Sequence, residues 1–169
     1  MEAMLADDAA IIERHGYLVT GVGSGKPPHW GYTVGLLERF DHPELIVAGP
    51  HFEIAGAIIN QIGRRIRDGA RFEVGDTEVS PAGELFDCDT TLRFGAVHPI
   101  QHRLDTFNVW FALADRGAVR DEELRALQLI LPTGVICTCG RCEQPDLSRP
   151  ESRVGVAPFE PRRARRRQR

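Results

Sequence analysis

The chain opens on a helical period: Met4, Leu5, Ala9, Ile11 and Ile12 stand among Glu2, Asp7, Asp8 and Glu13, and Gly16 follows as a left-handed stop. This predicts an amphipathic helix over 2–15. The period then changes. YLVTGVG at 17–23 and WGYTVGLL at 30–37 read as two strands, and SGKPPH at 24–29 has the chemistry of a long hairpin connection. ERFDHPE at 38–44 is a turn in which Pro43 biases His42 away from helical geometry. LIVAG at 45–49 is a short continuous apolar run suited to a buried central strand.

The longest periodic stretch comes next. FEIAGAIINQIGRRIRDG at 52–69 spaces Ile54, Ile58, Ile59, Ile62 and Ile66 so that they share one helix face. Arg64, Arg65 and Arg67 lie near its end, where cations favour the dipole, and Gly69 stops it. Beyond it RFEV (71–74), TEVS (77–80), LFDCDTTLRFGAV (85–97) and TFNVWFAL (106–113) are β-prone, while DEELRALQLILP (121–132) reads as a helical turn finishing in a strand. Trp30, Trp110 and Phe111 sit in apolar patterns without interleaved basic residues and read as packing. Nothing repeats at a fixed period, which excludes solenoids and propellers. The expectation is an α+β domain over 1–135, with a mainly antiparallel or mixed sheet and two or three helices.

Length agrees with that picture, since 169 residues suit one domain burying about 70% of its unfolded surface. No apolar run approaches the ~20 residues needed to cross a bilayer, and the N-terminus is acidic, so a cytoplasmic location is expected. Lys26 is the lone lysine among 21 basic residues, an arginine bias expected of a GC-rich bacterial genome. Charge is uneven. Arg162, Arg163, Arg165, Arg166, Arg167 and Arg169 leave 15 basic against 24 acidic residues over 1–161. An acidic body disfavours nucleic acid on the fold itself, whereas the arginines suit weak, salt-sensitive phosphate contacts. The Pro/Arg-rich stretch 146–169 is expected to be a disordered tail.

Three segments, IIERHGYLVTGV, PPHWGYTVGL and DHPELIVAG, are followed by a helix, and together they resemble the DUF4262 family of bacterial domains of unknown function. The likeness is close over 8–70, looser to about 132, and departs where a cysteine cluster and the arginine tail follow. It implies an α+β fold and brings no activity, cofactor or catalytic residue. YTVGL and HPEL also look distantly like words in suppressor-of-fused-type interaction modules, an analogy of fold only.

VICTCGRCE contains the most pointed chemistry. Cys137, Cys139 and Cys142 form a C-x-C-G-x-C knuckle in which Gly140 lets the backbone turn, so that thiolates converge as a tetrahedral Zn²⁺ requires. Cys88 is the favoured fourth ligand over His98 or His102. The knuckle is assigned to 136–145. Reduced unliganded thiols, a redox disulfide, an iron–sulfur cluster and a Cys–His nucleophile are the competing readings.

His29, His42 and His51 fall in loops around the first three strands, so with Tyr32 and Glu44 they are candidates for a pocket that binds metal or moves protons. The structural alternative is that His42 and Glu44 cap a turn. GVGSGK at 21–26 lacks the spacing of a phosphate loop. The sequence therefore points first to a non-enzymatic binding or regulatory domain with a cysteine-ligated structural metal. A small metal-dependent hydrolase using the loop histidines is the alternative, and nucleic-acid association through the arginines is the third option.

Overall fold

A computed structural model describes residues 2–22, 29–102, 106–119, 123–132 and 144–152. Helix α1 (Glu2–His15) precedes strands β1 (Leu18–Val22) and β2 (His29–Val34), a short helix α2 (Leu36–Phe40), strand β3 (Glu44–Gly49) and the long helix α3 (Phe52–Arg67). Strands β4 (Thr77–Ser80) and β5 (Thr90–Ala96), a 3₁₀ turn (Pro99–Gln101), helix α4 (Asn108–Ala114) and strand β6 (Ala126–Ile130) complete the α+β domain.

The strands form one sheet in the order β1-β2-β3-β6-β5-β4. It is mixed: β3 runs parallel to β6, and the other neighbours are antiparallel. All of β3 is buried, as its unbroken apolar run requires of a strand covered on both faces. Leu45 and Val47 point into the layer under α3 with Ile58, Ile59, Ile62 and Ile66. Ile46 and Ala48 point the other way, toward Trp30, Tyr32, Phe107 and Trp110. The period of two in the strand and of 3.6 in the helix thus produce two cores on one sheet.

Several sequence expectations change. The strand foreseen to residue 37 stops at Val34, because Gly35 adopts φ 112° and the chain turns into α2. TFNVWFAL contributes helix α4, not a strand: Trp110, Leu113 and Ala114 are buried at i, i+3 and i+4, a period that its β-prone composition concealed. RFEV and the 85–89 part of LFDCD lie outside any strand. Four α-helices occur among the described residues, two of them short. Ile54 is 40% exposed, since at 100° per residue it falls at the margin of the isoleucine stripe. No helix among the described residues is long and apolar enough to cross a membrane.

Residues 146–152, expected to begin the tail, pack against the domain instead, with Leu147 fully buried. The arginines at 162–169 lie outside the described residues.

Candidate functional site

The two words that carry the family likeness meet at one carboxylate. Glu44, the first residue of β3, is fully buried and accepts from the Thr33 hydroxyl at 2.5 Å. It also accepts from the backbone N–H groups of Gly35 at 2.9 Å, Leu36 at 3.3 Å and Leu37 at 3.2 Å. Thr33 Oγ1 in turn accepts from Leu45 N at 2.8 Å. The carboxylate therefore does what an N-cap side chain does for α2, but from another strand. Burial raises the pKa of Glu44, while these four donors oppose that rise.

His42 is also enclosed. Its Nδ1 lies 2.7 Å from the Pro43 carbonyl, which only accepts, so Nδ1 carries the proton. Nε2 accepts from Phe72 N at 3.2 Å. Burial lowers the pKa of His42 and keeps the ring neutral. Phe72 itself stacks on Phe94 with ring centroids 4.3 Å apart, so the histidine ties the 71–74 segment to the core.

Tyr32 donates to Asn108 Oδ1 at 2.7 Å and accepts from Val109 N at 2.9 Å. Its ring packs edge-on against Phe107, and burial pushes its pKa up. Trp30 Nε1 donates to Thr106 O at 3.0 Å, so β2 holds the start of α4 through two aromatic side chains.

The strand register separates the candidate pocket into two groups. His29 pairs with Gly49 and its ring lies 5.4 Å from that of His51, so these two meet at one end of the sheet. His42 and Glu44 stand at the other end of β3, about 17 Å away at the rise of an antiparallel strand. Tyr32 pairs with Ile46 between them. The three histidine-bearing loops do not gather at one site.

Cys137, Cys139 and Cys142 lie outside the described residues. Cys88 is exposed and two residues before β5. Arg93 pairs with Ile130, so the start of β5 lies at the end of the sheet where β6 runs out to Leu131 and Pro132. His98 follows the opposite end of β5, where Ala96 pairs with Leu127. Burial lowers the pKa of His102, whose Nε2 is buried without a hydrogen-bond partner. No group of three or more histidine, cysteine, aspartate or glutamate side chains that could hold a metal occurs among the described residues.

Sequence reasoning missed a pair of glutamines. Gln144 Nε2 donates to Leu129 O at 2.8 Å, and its Oε1 accepts from Leu131 N at 3.0 Å. Gln128 reciprocates, donating to Pro145 O at 2.7 Å and accepting from Leu147 N at 2.9 Å. Each side-chain amide makes the two bonds a neighbouring strand would make. The residues on either side of 133–143 are thereby fastened together. Two glutamines flanking a cysteine segment, Gln128 in an apolar strand pattern and Gln144 just past the last cysteine, were the available signal.

Comparison with curated proteins and with solved structures gives no match. The family model described as "Domain of unknown function (DUF4262)" matches residues 11–134, a span that contains YTVGL, HPEL and the carboxylate joining them, and the chain belongs to that family.

Proposed function

We infer that this is a non-enzymatic binding or regulatory domain whose cysteine segment holds a structural Zn²⁺ through Cys137, Cys139 and Cys142, with Cys88 as fourth ligand. One observation carries the reading: Gln144 bonds to Leu129 and Leu131, closing the ends of the segment that contains the three thiols. Closure removes much of the loop entropy that ligand convergence would otherwise cost. The register favours Cys88 over His98 and His102, because the start of β5 shares a sheet end with Leu131. The opposite end of β5 is about 20 Å distant at the rise of an extended strand.

The buried titratable groups support the non-enzymatic part. Glu44, His42 and Tyr32 are each engaged by hydrogen bonds that fasten elements of the fold. A zinc site built on cysteine thiolates fits a cytoplasmic setting.

Elemental analysis of purified protein tests the metal, with about one Zn²⁺ per chain expected and a fall in melting temperature on chelation or in Cys139→Ser. Metal-free protein with unchanged melting in that variant overturns the assignment.

A further inference from the structure

The stretch 144–152 lies beyond the family span, yet the domain receives it as a binding groove receives a peptide. Gln128, 1% exposed, takes the Pro145 carbonyl and the Leu147 N–H with its two amide atoms. The His98 N–H donates to Leu147 O at 2.8 Å. Gln101, fully buried, donates through Nε2 to Arg149 O at 3.5 Å and to Ser152 O. Leu147 fills the core layer that contains Val97 and Trp110, whereas Asp146, Ser148, Arg149, Pro150 and Glu151 remain exposed. Recognition therefore runs through backbone groups and one aliphatic anchor, presented by a segment folded into two turns in which Arg149 N–H donates to Asp146 O and Ser152 N–H to Arg149 O, each at 3.3 Å.

Two observations separate the slot from its occupant. His98, Gln101 and Gln128 all lie within 11–134, so the slot belongs to the family domain and the segment filling it does not. Gln101 Oε1 is buried with no hydrogen-bond partner. The occupant thus leaves unmet one acceptor that a better-matched peptide, carrying an N–H or hydroxyl there, would satisfy.

We propose that the slot lined by His98, Gln101 and Gln128 is a peptide-binding groove, filled in cis by residues 144–152 acting as a tethered competitor. Its ligand in trans is a turn-forming peptide with a leucine-sized anchor, carbonyls at the anchor and two residues before it, and a donor for Gln101 Oε1. The tether gives the internal segment an effective concentration in the millimolar range, so a free peptide competes poorly until the segment is displaced. This rests on the reading of the chain as a binding domain, and because the segment begins at Gln144 its displacement also releases the two bonds that close the cysteine segment.

The test uses the full chain and a fluorescein-labelled peptide of sequence QPDLSRPES, read by anisotropy. Leu147→Asp, which drives the internal segment out of the core, is expected to bind the peptide at least ten-fold more tightly than the wild type. Adding Gln128→Leu to that variant is expected to abolish the gain. A folded Leu147→Asp protein that binds no more tightly than wild type overturns the proposal, as does undiminished binding by the double variant. Hydrogen exchange on the wild type guards against a variant that fails to fold. The His98 and Leu147 amides are expected to exchange at least ten-fold faster than those of β3, and equal protection would make the segment an inseparable part of the core, ending the proposal. Metal content is measured on the wild type, in which Gln144 still closes the cysteine segment: metal-free wild type beside a Leu147→Asp variant that binds peptide removes only the zinc reading, and zinc-loaded wild type beside a variant that binds none removes only this one.

Discussion

Thr33 and Glu44 belong to neighbouring strands, and their side chains meet at 2.5 Å in a fully buried contact. The hydroxyl donates to the carboxylate, which can only accept, while its oxygen accepts from Leu45 N. This fixed polarity makes the pair a clasp: one residue completes the spacing of β3 against β2, and the other caps α2.

Glu44→Gln should therefore be costly although it preserves shape. An amide presents one acceptor oxygen where the carboxylate presents two, and its NH₂ would face donors. Orphaning two buried donors predicts a loss of about 3 kcal/mol in urea denaturation. A loss below about 0.5 kcal/mol would show that the carboxylate does not organise the turn.

Ile62, at 1% exposure, lies in the layer between α3 and the sheet. Truncation to alanine should cost about 2–5 kcal/mol, the usual range for a buried aliphatic side chain. A loss near zero would contradict the burial of this helix face.

His42 should make the fold sensitive to mild acid. Its folded-state pKa is lowered from 6.5, so the native state binds fewer protons than the unfolded chain as pH falls below that value. The contribution is present above about pH 6.5 and is lost as pH falls through the window below it. Stability measured at pH 7, 6 and 5 should decline less in His42→Gln, whose side-chain oxygen can still accept from Phe72 N. Glu44, with a raised pKa, acts in the opposite direction, so only the difference between variant and wild type isolates the histidine. Identical slopes would refute the assignment.

Gln144→Ala removes the two bonds that close the cysteine segment. If closure presents the thiols to zinc, competition with a chromophoric chelator should show affinity weakened about 10–100-fold, the effect typical of losing an outer-shell support. Unchanged affinity would detach the glutamine from the metal.

The sequence by itself determined the elements whose periodicity is unmistakable. Isoleucines at 58, 59, 62 and 66 specify one helix face, and LIVAG specifies a strand covered on both sides, because burial follows directly from spacing. The words YTVGL and HPEL marked the family for the same local reason. What tertiary structure alone decided is where polar side chains spend their hydrogen bonds. Nothing local distinguishes Glu44 as a ligand in a pocket from Glu44 as a cap for a helix on the other side of a turn, nor Asn108–Ala114 as helix from strand. The register of β2 on β3 sent His29 and His42 to opposite ends of the sheet, and bonds between residues 13 to 19 positions apart, from Gln144 to Leu129 and Leu131 and from Gln128 to Pro145 and Leu147, fixed the cysteine segment's ends. Such partners are set by chain crossings that one-dimensional patterns do not encode, since a hydrogen bond depends on distance and direction and leaves no period in the sequence.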